Sequence, residues 1–263
     1  MSRKKLYYES VQESKDLLLK ATIEELFKEH PAYGHKRLAL LTGRSKNTIL
    51  RVQRKYELFP PRRKAKKRFL TRSGTGCQFT NLIRDIKPAR PYQIICSDIT
   101  YIKYQGKFVY LATLLDLYTR EILSAELSDH HDSDLILQSL QNLDESILEQ
   151  LDIFHSDQGT EFMAQQTVAY LSASNINISV SDKGSPWQNG YMESFFDKFK
   201  VEVGDLNRFE DPGEFFEAVY QQIYYYNNRR MHSSIHNTCP VKFRIAYYDS
   251  NYAIDNLSQN SGT

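Results

Sequence analysis

Residues 93–118 read QIICSDITYIKYQGKFVYLATLLDLY, and the fold class rests on this stretch. It contains two runs rich in β-branched and aromatic residues, which are typical of β-strands. Only Gln105 and Gly106 separate the runs, and a two-residue connection is typical of a tight hairpin. REILSAELS at 120–128 extends the pair to a third strand. The sequence therefore predicts three consecutive strands at this point.

Helices and strands alternate after the third strand. The predicted helices are 132–143, 165–175, 189–203 and 212–230, of which the last ends the predicted elements, and the predicted strands are 151–157 and 176–182. The element order β-β-β-α-β-α-β-α-α predicts an α/β fold, with a mixed five-stranded sheet and helices on its faces.

Composition and charge limit the possible classes. The chain has 263 residues, of which 41% are hydrophobic and 25% charged, as in ordinary folded proteins. No apolar run reaches the roughly 20 residues that cross a bilayer, and no secretory signal is present, so we expect a cytoplasmic protein without a membrane partner. Residues 1–72 hold 20 Lys and Arg against 7 Asp and Glu, whereas residues 73–263 hold 14 against 25. A basic first quarter on an acidic body predicts a polyanion-binding arm.

The basic quarter has a helical pattern. Residues 8–29 repeat Leu17, Leu18, Leu19, Ile23 and Leu26 near helical spacing. In HKRLALLTGRSKNTILRVQRKYEL, 35–58, a turn at Thr42-Gly43 predicts two short helices, with Ser45 capping the second. The outward residues of that second helix are candidate DNA contacts: Lys46, Asn47, Arg51, Arg54 and Lys55. A helix-turn-helix and a small basic helical bundle both remain open.

A linker follows the helical pattern. FPPRRKAKKRFLTRSGTG at 59–76 has two prolines and six basic residues within 62–68, among them the candidate phosphate contacts Arg62, Arg63 and Lys64. Such a run is either a solvated tether or a general nucleic-acid contact. We therefore predict a helical module at 1–60, a basic linker at 61–90, an α/β core at 91–250 and a tail at 251–263.

Three acidic residues occupy informative positions in the predicted core. Asp98 interrupts an apolar strand, Asp157 follows a short strand, and Glu193 lies at the border of the apolar face of a helix. Carboxylates converging on one sheet edge repel one another unless a cation joins them, and Mg²⁺ prefers such ligands. Two such ions can activate the attacking oxygen and stabilise the leaving oxygen in phosphoryl transfer. Solvated surface acids are the alternative, because acids are frequent in the chain.

The sequence around these acids resembles a known family. CSDITYI at 96–102, FHSDQGTEF at 154–162 and SDKGSPWQNGYMESFFDKFK at 181–200 resemble the catalytic motifs of OrfB-type insertion-sequence transposases, within the DDE superfamily that includes retroviral integrases. Thirty-five residues separate Asp157 from Glu193, the interval typical of the family. YYNNRRMHSSIHNTCPVKF at 225–243 and HPAYGHKRLALL at 30–41 resemble its C-terminal signature and its upstream helix-turn-helix.

The resemblance implies an RNase H-like fold and a transposase. It implies two Mg²⁺ ions per active site, with Mn²⁺ as a substitute, held by Asp98, Asp157 and Glu193 as the catalytic residues. It also implies hydrolysis that exposes a 3′-OH at each end of the insertion sequence, then attack of that hydroxyl on a second phosphodiester. The implied partners are double-stranded DNA (terminal repeats and target), further copies in a homo-oligomer on DNA, and an upstream-frame OrfA-type protein or fusion.

Several neighbours of the triad then become candidate DNA contacts: Lys183, Trp187, Asn189, Lys200, Arg229, Arg230 and His232. Two interpretations stay open for some of them, since Trp187 could pack as a lid and the C-terminal cations could pair with the acidic body. We expect His155 to orient a turn and Asp116 to satisfy a strand end. A non-catalytic DNA-binding regulator derived from a transposase is the alternative function, and an RNase H-like nuclease is a third.

Overall fold

The computed structural model describes residues 11–61, 79–131, 133–157, 159, 161–182 and 185–260, without the side chains of Val11, Pro186, Trp187 and 251–260. These residues form two compact units, 1–65 and 66–263, each of which is described by itself. Among the described residues, every helix is too short or too polar to cross a bilayer.

The first unit is helical. Its helices are α1 (Val11–Glu29), α2 (His35–Thr42) and α3 (Lys46–Lys55). Gly43 ends α2 in the left-handed region, at φ 64°, where glycine carries no steric penalty. The Ser45 hydroxyl accepts a hydrogen bond from the Thr48 amide and so caps α3. The two short helices, their turn and this cap are confirmed.

The buried side of α1 differs from the predicted stripe. Leu17 and Leu18 are exposed, whereas Ile23 and Asp16 are buried. Asp16 faces inward because Arg51 of α3 donates two hydrogen bonds of 2.6 Å to its carboxylate. A charge that is paired in this way can be buried in place of a leucine.

The second unit is built on one five-stranded sheet in the order β3-β2-β1-β4-β5. Its strands are β1 (Ile94–Tyr104), β2 (Lys107–Asp116), β3 (Ile122–Ser128), β4 (Ile153–Ser156) and β5 (Asn177–Val180). β1, β2 and β3 are antiparallel neighbours, and β4 and β5 run parallel to β1. Gln105 and Gly106, both at positive φ, make the predicted hairpin turn. The predicted mixed sheet is confirmed.

Six helices flank the sheet within the described residues. They are α4 (Ser133–Gln141), α5 (Glu145–Leu148), α6 (Gln165–Ala173), α7 (Gly190–Val203), α8 (Pro212–Asn228) and α9 (Pro240–Asn260). The prediction that the helix from Pro212 is the last was wrong, because α9 follows it. α9 crosses the predicted boundary between core and tail at 250. Residues 79–90, assigned to the linker, bond to the core through the Leu82 amide and the Ser179 hydroxyl.

Each face of the sheet carries its own apolar core. On one face, α7 and α8 pack on β1 and β2 through a cluster that includes Phe195, Phe199 and Phe215. On the other face, α4 and α6 cover Ile95, Leu114 and neighbouring residues. Because both faces are covered, polar side chains within the sheet need a specific reason, and β1 carries one at Asp98.

Candidate active site

Asp98 and Asp157 lie side by side at the point where β4 ends. β1 and β4 pair in parallel from Ile94 with Ile153 through Cys96 with His155. If this register is continued by two residues, Asp98 is aligned with Asp157, the first residue after β4. The sheet therefore places the two predicted aspartates at one edge.

The electrostatics of this edge are those of crowded carboxylates. Burial, and then the charge of the adjacent Asp157, raise the pKa of Asp98 to about 8. Burial likewise raises the pKa of Asp157, although the Gly159 amide donates a 2.9 Å hydrogen bond to its Oδ1 and lowers that pKa. Both shifts show a cost of placing negative charge here, which a cation would relieve.

A third carboxylate that we did not predict, Glu161, lies near enough to act on the pair electrostatically. Its charge raises the pKa of both aspartates, and its Oε1 lies 3.3 Å from His131 Nε2. Gly159 separates it from Asp157: a Cβ at this position would lie 2.7 Å from Glu161 Oε1 and 3.0 Å from Asp157 Oδ1. The spacing Asp-x-Gly-x-Glu was the available signal, because a glycine between two acids allows their side chains to close over its backbone.

Glu193 lies in the first turn of α7, and three hydrogen bonds tie that helix and its N-terminal residue to β1. Asn189 Nδ2 donates to the Ser97 carbonyl at 3.3 Å, one residue before Asp98. Lys200 Nζ donates to Thr100 Oγ1 at 2.5 Å and to the Tyr101 carbonyl at 2.8 Å. These contacts, on either side of Asp98, fix the helix that carries Glu193 along the edge of the sheet.

The Glu193 carboxylate itself is exposed, and it makes no hydrogen bond or ion pair with the described residues. Nowhere in the described part of the chain do three or more His, Cys, Asp or Glu side chains converge closely enough to hold a metal ion. The structure therefore brings Asp98 and Asp157 together and leaves Glu193 on the neighbouring helix. The donor set nevertheless suits a hard divalent cation, since carboxylate oxygens are the preferred ligands of Mg²⁺.

Two residues that we expected to have supporting roles are explained by their contacts. Asp116 accepts hydrogen bonds from the Tyr92 and Thr119 amides at 3.1 and 3.0 Å, so it satisfies the end of β2 as predicted. His155 lies 2.9 Å from Ser179 Oγ through Nδ1 and 3.2 Å from Ser181 Oγ through Nε2. It thus connects β4 to β5, and burial lowers the pKa of its imidazole to about 4.

Some predicted DNA contacts are wrong because the side chains are buried. Asn189 is buried against Ser97, and Arg230 is buried with its Nε 2.8 Å from the Glu202 carboxylate. His232 is buried beside Tyr226. For Arg230 the ion-pair alternative is confirmed, since the acidic partner belongs to α7. Arg229 is exposed and Lys200 is partly exposed, so their DNA contacts stay predictions.

On α3 the predicted contacts divide into two groups. Lys46, Asn47 and Arg54 are exposed. Arg51 and Lys55 are bound to Asp16, and Lys55 also contacts Glu13 at 2.5 Å, so their charges stabilise the packing of α3 on α1. Arg62, Arg63, Lys64, Lys183 and the side chain of Trp187 lie outside the described residues.

Comparison with known proteins agrees with this architecture. Two family descriptions, both of the integrase core domain, match residues 88–186 and 174–240. A simian T-cell lymphotropic virus intasome, solved in complex with the PP2A regulatory subunit B56 gamma, contains a chain with a TM-score of 0.52 and 15% identity. The match covers 84% of this chain and 74% of that one, so the second unit has the RNase H-like fold of integrase catalytic cores.

Relatives in sequence define the family more narrowly. The putative transposase InsK of insertion sequence element IS150 from Escherichia coli is 28% identical over 241 residues, which cover 88% of this chain and 84% of the relative. The transposase of insertion sequence element IS904 from Lactococcus lactis is 28% identical over 243 residues, covering 89% and 96%. The chain belongs to the insertion-sequence transposases that carry an integrase core domain.

Proposed function

We propose that this transposase cuts and joins DNA at the ends of an insertion sequence by divalent-metal-dependent phosphoryl transfer. The observation that carries the proposal is the pair Asp98 and Asp157, set level on adjacent parallel strands of an integrase core. Mutual repulsion makes such a pair costly unless its purpose is to bind a cation. We expect the substrate to be chromosomal DNA in the bacterial cytoplasm.

In this proposal Asp98, Asp157 and Glu193 hold two Mg²⁺ ions, with Mn²⁺ as a substitute. Bound there, the ions supply activation of the attacking oxygen and stabilisation of the leaving oxygen at a phosphodiester. The exposed Glu193 completes the ligand set from α7, whose position along β1 is fixed by Asn189 and Lys200. The sheet and this helix therefore orient the ligands before the substrate arrives.

Two reactions of one kind follow. Water attacks a phosphodiester at the end of the element, so one P–O bond forms, one breaks, and a 3′-OH is released. That hydroxyl then attacks a phosphodiester of the target, again exchanging one P–O bond for another. No chain residue is bonded to DNA at any point. The exposed cations of α3 supply phosphate contacts in the first unit.

The proposal includes two kinds of partner, further copies of this chain and a second protein. Joining two ends to one target requires more than one active site, so we expect a homo-oligomer on DNA. An upstream-frame OrfA-type protein, or a fusion to it, is expected to contribute end recognition.

The test uses labelled duplexes that carry the element's ends, with Mg²⁺ or Mn²⁺, and the full chain with and without the upstream frame. Wild type is compared with Asp98→Asn, Asp157→Asn and Glu193→Gln. Asp152→Asn is the matched control, because Asp152 is an exposed acid that pairs with Arg90 at the other end of β4. We expect nicked and joined products from wild type and control only. DNA binding without products in every format would favour the regulator and contradict the proposal.

A further inference from the structure

The β1–β2 hairpin extends past the end of β4 and exposes two aromatic side chains. Tyr101 is 50% exposed and Phe108 is 51% exposed, and their rings meet edge to face with centroids 5.3 Å apart. β4 pairs only with residues 94–96 of β1, so the second half of β1 has no strand on that side. Neither ring belongs to the apolar clusters on the two faces of the sheet. Large apolar rings held in water at such a site suggest a binding function.

A lysine shares the face of the two rings. Alternate residues of a strand point to one side, and directly opposed residues of an antiparallel pair share that side. Tyr101 and Lys103 therefore lie on one face, and so does Phe108, which is the register partner of Lys103. Lys103 is exposed as well. We call Tyr101, Lys103 and Phe108 the hairpin face.

The hairpin face approaches the acidic pair around the unpaired side of β1. Tyr101 follows Asp98 by three residues, about 10 Å along the strand, and this odd offset puts their side chains on opposite faces of the sheet. Lys200, the α7 residue that bonds to β1, lies 4.9 Å from the Tyr101 ring centroid. On the same face Tyr110 is the register partner of Tyr101, and its ring lies 4.9 Å from that of His131, the partner of Glu161. A continuous line of contacts thus leads from the exposed rings to the site.

The chemistry of the hairpin face matches one ligand class. Exposed aromatic rings next to lysines bind unpaired nucleic acid, because every base can stack on a ring and every phosphate is anionic. Positive charge at this place contrasts with the rest of the unit, since residues 73–263 hold 14 Lys and Arg against 25 Asp and Glu. A peptide partner would need strand pairing or an apolar groove, but Lys200 and Asn207 already donate to the Tyr101 and Lys103 carbonyls of β1, and the rings stand beside cations.

We propose that the hairpin face binds unpaired nucleotides of the DNA substrate beside the scissile phosphate, with Tyr101 and Phe108 stacking on bases and Lys103 contacting a phosphate. This inference rests on the proposed function, since it assigns a subsite to the same substrate. It adds that strand separation next to the cut is stabilised by the protein itself. When bases leave the duplex they lose stacking on adjacent bases, and the rings of the hairpin face replace that stacking.

The test measures stacking at one point of the surface, without divalent metal and thus without cleavage. Phe108→Trp puts an indole on the hairpin face, and stacking of a base on an indole quenches its emission. Tyr224→Trp is the matched control, because Tyr224 is 56% exposed on α8 and outside the hairpin. Both full-length chains keep Trp187, so the emission change of wild type is subtracted from each. We titrate each with an oligothymidine strand and with a blunt duplex.

We expect the unpaired strand to quench Phe108→Trp strongly, the duplex to quench it weakly, and the control to respond to neither. Added to Phe108→Trp, Tyr101→Ala should raise the quenching midpoint at least roughly fivefold, as for the loss of one stacked base, and Tyr101→Phe should not. Lys103→Gln should flatten the salt dependence of the midpoint. No quenching of Phe108→Trp, or equal quenching by the duplex, overturns the inference. Because nothing is cut, that result is independent of whether the cleavage assay succeeds.

Discussion

The buried ion pair between Arg230 and Glu202 gives the sharpest test of how the core is held together. Arg230 Nε donates to both Glu202 oxygens at 2.8 and 3.0 Å, and the two side chains are 2% and 1% exposed. Gln222 Nε2 adds a 3.2 Å hydrogen bond to the same carboxylate. Glu202 belongs to the last turn of α7 and Arg230 follows α8, so the pair joins the helix of Glu193 to its neighbour.

Arg230→Met leaves the Glu202 carboxylate buried without its cation. Breaking a buried pair in this way costs about 3–5 kcal/mol of the free energy of unfolding, because the remaining charge has lost both water and partner. Replacing both members, as Glu202→Leu with Arg230→Met, should recover much of that loss, since no charge is then buried. The comparison of single and double variants therefore separates the pair from simple loss of packing.

The assay is urea unfolding of the full chain, followed by the fluorescence of its single Trp187, which belongs to the sequence of the second unit. Lys242→Met serves as the exposed control and should change the unfolding free energy by less than about 0.5 kcal/mol. A loss below about 1 kcal/mol for Arg230→Met, together with weaker DNA binding, would refute the structural role. That result would instead favour a phosphate contact by Arg230, the other interpretation that its sequence position allowed.

Three further predictions follow from other contacts. Asp98→Asn should raise the urea midpoint of the metal-free protein by an amount that grows from about pH 4 to about pH 8 and is constant above, because burial and the charge of Asp157 raise the pKa of Asp98 from 3.8 to about 8 in the folded state. Hydrogen bonds from Arg51 hold the pKa of Asp16 well below its usual range, so this carboxylate stabilises the first unit above about pH 4. Circular dichroism melts from pH 6 to pH 2 should show that stability being lost below about pH 4 in wild type but not in Asp16→Asn. Phe195→Ala should cost about 3–5 kcal/mol in urea unfolding, since the ring is 1% exposed, and Phe195→Leu should cost less.

Local signals in the sequence predicted much of this structure. The succession of strands along the chain could be predicted from runs such as 94–104, and the hairpin from Gln105 and Gly106, because both signals depend on neighbours in sequence. The same holds for the cap at Ser45. The convergence of Asp98 and Asp157 was expected from the family motifs, whereas the parallel pairing of β1 with β4, which sets Asp98 in mid-strand level with Asp157, depends on contacts between distant segments.

Features that depend on distant partners could not be predicted. Asp16 and Arg51 are 35 positions apart, and no pattern in α1 reveals that an acid replaces a leucine on its buried side. The burial of Arg230 depends likewise on Glu202, which is 28 positions away. α9 was missed because the stretch after Pro240 mixes tyrosines, acids and amides without a clear helical stripe. Glu161, in contrast, has a local signal in the spacing Asp-x-Gly-x-Glu at 157–161, because a glycine between two acids lets their side chains approach each other.

Strand joining by a pre-cut end tests the central claim most directly. Duplexes ending in a recessed 3′-OH are incubated with the full chain, Mg²⁺ and a supercoiled target, beside identical duplexes ending in a 3′-deoxy nucleotide. The account predicts joined products with the 3′-OH end alone, and none from Asp98→Asn. Degradation of both duplexes without joining would identify a nuclease, and joining by the 3′-deoxy end would show that the hydroxyl is not the nucleophile.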